Sequence, residues 1–82
     1  MKFQPGNLVV IKGHQAVWVV GAKLTEQNKW EWSNWSGRMV DGRQVALYID
    51  YVLGPLGHSS LDIILLGDQF CAINIGRLEL YK

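Results

Sequence analysis

A chain of 82 residues with eight Lys or Arg against seven Asp or Glu has room for one domain. Its basic residues, Lys12, Lys23, Lys29, Arg38, Arg43 and Arg77 among them, are scattered, so charge gives no indication of a nucleic-acid surface. Hydrophobic residues make up 49% and charged ones only 18%, more apolar than a small monomer needs; this favours a homo-oligomer.

The elements follow in chain order. Pro5-Gly6-Asn7 is a turn, which also argues against a signal peptide, and it launches a strand over Leu8 to Lys12. Gly13-His14 suits a tight hairpin, with Ala16 to Leu24 as the returning strand. Thr25 to Asn28 is a polar loop. Lys29-Trp30-Glu31-Trp32 alternates and sets both tryptophans on one face. Ser33 to Gly37, which carries Trp35, reads as a turn or irregular link. Asp41-Gly42, between Arg38-Met39-Val40 and Arg43-Gln44-Val45, has the chemistry of a type I′ hairpin turn. A long strand from Val45 to Val52 puts Val45, Leu47, Ile49 and Tyr51 on one face. Gly54 to Ser60 is a loop. Leu61 to Leu66 and Gln69 to Ile75 pair across Gly67-Asp68, and Gly76-Arg77 turns the chain into a last strand, Leu78 to Tyr81. The predicted fold is all-β: about six short antiparallel strands in a small barrel, whose closure removes exposed edges.

Candidate chemistry is sparse. His14 and His58 fall in separate turns or loops and Cys71 is the one cysteine. No set of ligands at metal-binding spacing can be drawn from them, and neither a metal nor another cofactor is expected. A single cysteine also excludes an internal disulfide, and Cys71 on an apolar strand reads as a buried, inert thiol. Asp50 and Asp62 are conceivable as an acid–base pair, but alternation with Ile49 and Leu61 assigns both to the solvent face, as it does Asn74. No catalytic residue is expected. The tryptophans stand out: Trp30, Trp32 and Trp35 lie among Asn28, Lys29, Glu31, Ser33, Asn34 and Ser36. Tryptophan anchors interfaces through its large apolar area and its single N–H donor. Trp30 and Trp32 either fill the barrel or form a contact surface with Trp35, Arg38 and Arg43.

The opening Phe3-x-Pro5-Gly6-Asn7-Leu8-Val9, followed by a Lys-Gly turn, resembles the first strand of many SH3-like barrels. The closing Ile75-Gly76-Arg77-Leu78-Glu79-Leu80 resembles their last strand, entered through a one-turn helix. Such domains are frequent among small bacterial and bacteriophage proteins, and the barrel by itself implies no function. Pro55-Leu56-Gly57 with Leu61 to Gly67 is similar to the C-terminal half of FeoA-type proteins, SH3-like cytosolic partners of a ferrous iron transporter. That likeness implies a helical middle segment, where this chain reads Lys29 to Trp35. Plasmid-borne, trimethoprim-insensitive dihydrofolate reductases carry Val-Gln-Ile-Tyr on a strand where this chain has Cys71-Ala72-Ile73-Asn74, so no catalytic role transfers.

The expected function is non-enzymatic: a cytoplasmic module, of the kind phages and mobile elements encode, that grips a protein partner through Trp30, Trp32, Trp35, Arg38 and Arg43. A nucleic-acid or nucleotide binder using the same tryptophans for stacking is the alternative, and an FeoA-like transporter partner a further one. Self-association is expected through an exposed strand edge or the face carrying Tyr48 and Val52. No apolar run is long enough to span a membrane as a helix.

Overall fold

The computed structural model describes residues 3–53 and 60–81, without the side chains of residues 33–36 and 53. Seven strands make up these residues: β1 (Leu8–Ile11), β2 (Val17–Leu24), β3 (Trp30–Val40), β4 (Val45–Leu53), β5 (Ser60–Leu66), β6 (Gln69–Asn74) and β7 (Leu78–Leu80). They form one antiparallel, barrel-like sheet in the order β3-β2-β6-β5-β4-β1-β7. No described residue is helical, so nothing here is a helix long and apolar enough to cross a membrane. In the Lys29 to Trp35 segment, where an FeoA-type helix would fall, the chain is strand from Trp30 onward.

Local chemistry explains several connections. Pro5 presets its own φ and Gly6 supplies φ +95, the combination of a type II turn. Asn7 fastens it by accepting a hydrogen bond from the Gln4 N–H on Oδ1 at 2.9 Å. The Thr25 to Asn28 loop closes the β2–β3 hairpin with Asn28 at φ 63. There the Thr25 N–H donates to the Lys29 carbonyl at 2.7 Å. Gly67, at φ +66, allows the two-residue Gly67-Asp68 turn that pairs Leu66 with Gln69. The chain enters β7 through a turn at Ile75-Gly76 and not through a one-turn helix.

Two expected hairpins are absent. Gly13-His14 is a bend, but β1 pairs with β4 and β7 instead of β2. A turn does follow Asp41, at Gly42-Arg43, with the positive φ on Arg43. Its flanking strands diverge, β3 pairing with β2 and β4 with β1 and β5. Gly42 is seated against the backbone carbonyls of Gly13 and Gln15, so the two bends pack on each other as the corners where the chain changes partners. Glycine is required at 42 for close approach rather than for its φ.

Ser33 to Gly37 lies within β3 and is not a separating turn, although the pairing there is irregular. Gly21 pairs with Ser33 and Val19 with Arg38, so residues 34–37 stand against Val20 alone. This bulge bends the hairpin and divides it into a proximal and a distal half.

The interior of the sheet holds the larger core: Phe3, Val9, Ile11, Val19, Val40, Ala46, Tyr48, Ile64, Leu66, Cys71, Ile73 and Leu78. Tyr48 is fully buried, which removes it from any association face. In the first half of β4 the core positions are Ala46 and Tyr48, and Val45 and Leu47 face outward. A bulge at Ile49 resets the alternation before Asp50. The solvent assignment of Asp62 is also corrected: it is 2% exposed. Asp62 lies on the interior face beside Tyr48, and its neighbours Leu61 and Ile63 on the opposite face are covered by the β2–β3 hairpin, so alternation along this stretch of β5 gives no wet side. Asp50 and Asn74 are exposed, as expected.

Candidate functional site

The distal half of the β2–β3 hairpin folds over the outer face of the sheet. Trp30 and Trp32, half-buried, pack there with Ala22, Ile49, Val52 and Leu61 around a second small core of Val20, Ile63 and Ala72. The Trp30 Nε1–H donates to Asp50 Oδ2 at 3.1 Å, and its ring meets Phe70 at 5.3 Å and 58°, a tilted geometry favourable for aromatic pairs. These tryptophans therefore act first as a cover, and Trp30 packs against Phe70, itself 41% exposed.

Arg38 resumes the regular pairing of β3 after the bulge. Its Nη2 lies 4.0 Å from the buried Cys71 Sγ. On one side of Arg38 is a groove of about 480 Å³ lined by Gly21, Ala22, Arg38, Gln69, Phe70 and Cys71. On the other is one of about 490 Å³ whose lining includes Arg38, Asp41, Gln44, Asp68 and Gln69. Arg38 and Gln69 belong to both, so the two grooves form a single trough with an apolar end at Phe70 and an acidic end at Asp41 and Asp68. On the neighbouring surface, Trp18 is 51% exposed, lies against Gly37 and stands opposite Met39.

Of the residues proposed from sequence, Arg38 lines this trough, Trp30 backs it through its ring contact with Phe70, and Trp32 packs in the second core. Arg43 is in neither place. It is held at the β1–β7 end of the sheet by an exposed ion pair with Glu79 at 3.3 Å. The side chain of Trp35 lies outside the described residues, as does His58. Asp50 and Asp62 are on opposite faces of the sheet and form no acid–base pair. Asp62 Oδ1 instead accepts a hydrogen bond from the Tyr48 hydroxyl at 3.0 Å. Burial pushes the Asp62 carboxyl up, and the Tyr48 bond opposes that shift. Burial first, and then the Asp62 charge, keep the Tyr48 phenol protonated well above its ordinary range. His14 is exposed. Among the described residues, no three His, Cys, Asp or Glu side chains are grouped to hold a metal.

Sequence reading missed Phe70 and Gln69, which reach the trough only through the pairing of β6 with β5 and β2. A hydrophobic ring beside a polar amide at the start of a strand carries no signal of its own. The chemistry on offer is recognition: an aromatic surface, a guanidinium that fits a carboxylate, an amide, and two acids beyond. No family model, curated protein or solved structure matches this chain.

Proposed function

We propose that the chain is a non-enzymatic, SH3-like binding module, of the kind phages and mobile elements encode, which grips an extended segment of a partner protein in the cytoplasm. The trough divided by Arg38 and Gln69 carries this reading. Its ends differ in chemistry, so it suits a segment with an apolar side chain against Phe70, a carboxylate on Arg38, and a basic residue toward Asp41 and Asp68. Trp30 acts as the wall behind Phe70.

Selection from a random peptide library on the immobilised protein tests this. Enriched peptides should share an apolar residue followed closely by an acidic one. Arg38→Ala and Phe70→Ala should each weaken their binding by about 2 kcal/mol, a hot-spot magnitude; Arg38→Ala should leave the melting temperature nearly unchanged, whereas Phe70→Ala also removes the ring contact with Trp30 and should lower it. A library that yields no common pattern, or affinity indifferent to Arg38→Ala, overturns the proposal. Affinity that falls steeply with added salt would instead mark phosphate contacts and the nucleic-acid alternative.

A further inference from the structure

The strand register places a row of apolar side chains straight across the outer face, away from the trough's acidic end. Leu8 stands opposite Leu47, Leu47 opposite Leu65, and Leu65 opposite Phe70. One step along the strands, Val45 pairs with Val10 on the same face. Directly opposed residues of an antiparallel pair share a face, so these side chains form one surface over β1, β4 and β5. Leu8 is 49% exposed, and Val45 and Tyr81 are similarly open. The β2–β3 hairpin covers the next stretch of this same face with Trp30 and Trp32; Leu8 and Val45 remain open, Leu47 and Leu65 are partly exposed, and Val10 is buried. A hollow of about 310 Å³ between Val10, Arg43, Val45, Glu79, Leu80 and Tyr81 marks the rim.

The charges at the rim identify the occupant. Among the described residues that line the hollow, the charged ones are Arg43 and Glu79, 3.3 Å apart and both about half exposed. A strongly acidic or basic partner would gain one contact and a repulsion. A two-fold copy presents Glu79 to Arg43 and Arg43 to Glu79, which makes the surface complementary to itself. We infer that the outer face of β5, β4 and β1 is the interface of a two-fold dimer of this chain, with the leucine row at its centre and reciprocal Arg43–Glu79 pairs at its rim. Two sheets packed face to face with their strands nearly aligned are the expected geometry.

Sedimentation of the wild-type chain from one to a few hundred micromolar tests the dimer. Self-association should be evident, and Leu8→Lys and Val45→Lys should each raise the dissociation constant at least ~10-fold, about 1.4 kcal/mol. Circular dichroism should stay unchanged, because both positions are already solvent-exposed. Arg43→Glu and Glu79→Arg should each be monomeric alone, since every rim pair then repels. Mixed in equal amounts they should form a heterodimer, because every rim pair is then opposite in sign. A monomeric wild type, a dimer indifferent to Leu8→Lys, or a mixture no tighter than its components overturns the inference. Arg38→Ala, which affects the peptide trough, should dimerise as wild type does, so failure of the dimer and failure of the peptide site are read separately.

Discussion

An ionised carboxylate taken out of water is destabilising unless donors compensate it. Asp62, in the interior beside Tyr48, is compensated by the Tyr48 hydroxyl. Its folded pKa nonetheless lies above the ordinary value, with burial as the larger cause. The sign of the pH effect follows. As the pH falls, the native state takes up this proton before the unfolded chain does. The contribution of Asp62 to stability is therefore fully present below about pH 4, the unfolded value, and is lost as the pH rises through the folded pKa. In urea titrations between pH 4 and pH 7, the stability of wild type relative to Asp62→Asn should rise on acidification, with a slope of at most about 1.4 kcal/mol per pH unit. Every other carboxylate is common to both chains and cancels. A difference independent of pH would mean that Asp62 titrates normally in the folded state.

At the scale of elements, the β2–β3 hairpin shows what sequence encodes locally and what it does not. The alternation of Trp30 and Trp32 was readable, and both do share a face. That the face closes over Ile63 and Ala72 was not, because the fold-over depends on a bulge that opposes residues 34–37 to Val20 alone. Turn chemistry was similarly half-legible. Gly67-Asp68 joins strands that are neighbours in sequence and in space. At Gly13 and Gly42 the bend is written in the residues, but the partner of each flanking strand is set by distant pairing. Asp62 was misassigned because alternation presumes one wet face, whereas the nearly continuous apolar run around it marks a stretch of β5 covered on both sides. The covering role of Trp30 predicts a graded response in thermal or urea melts. Trp30→Ala should destabilise by about 3 kcal/mol, the low end for loss of a large aromatic side chain. Trp30→Phe should cost only about 1 kcal/mol, the bond to Asp50. Equal losses would place the stabilisation in the hydrogen bond and not in the ring.

For the molecule as a whole, turn chemistry and strand-length apolar runs gave the all-β class and composition gave the apolar surplus, and the structure shows where the surplus is placed. Part of it forms a second core on the outside of the sheet, and part is the row from Leu8 to Phe70, open at its two ends and partly exposed between them. Neither location can be read from the chain, since each residue in the row belongs to a different strand and only the register aligns them. The candidate site was partly legible for the same reason. Arg38 and Trp30 come from one hairpin, Arg38 lining the trough and Trp30 backing it through Phe70, whereas Arg43, five residues beyond Arg38, crosses to the other end of the sheet with β4.

The place of β1 between β4 and β7 also governs how the chain reaches this state. On the ribosome Leu8–Ile11 emerges before either of its partners, and its second edge stays unpaired until Leu78–Leu80 has been made. Pairing across such sequence distances is entropically slow, and barrels of this kind refold in roughly milliseconds to seconds. If β1 docks after the rate-limiting barrier, Val9→Ala should chiefly accelerate unfolding in stopped-flow urea jumps and leave the refolding rate almost unchanged. Refolding slowed in proportion to the lost stability would put β1 in the nucleus instead. In the first case a nascent chain carries an uncovered Leu-Val-Val-Ile strand through most of its synthesis, the kind of edge on which unfinished β proteins aggregate.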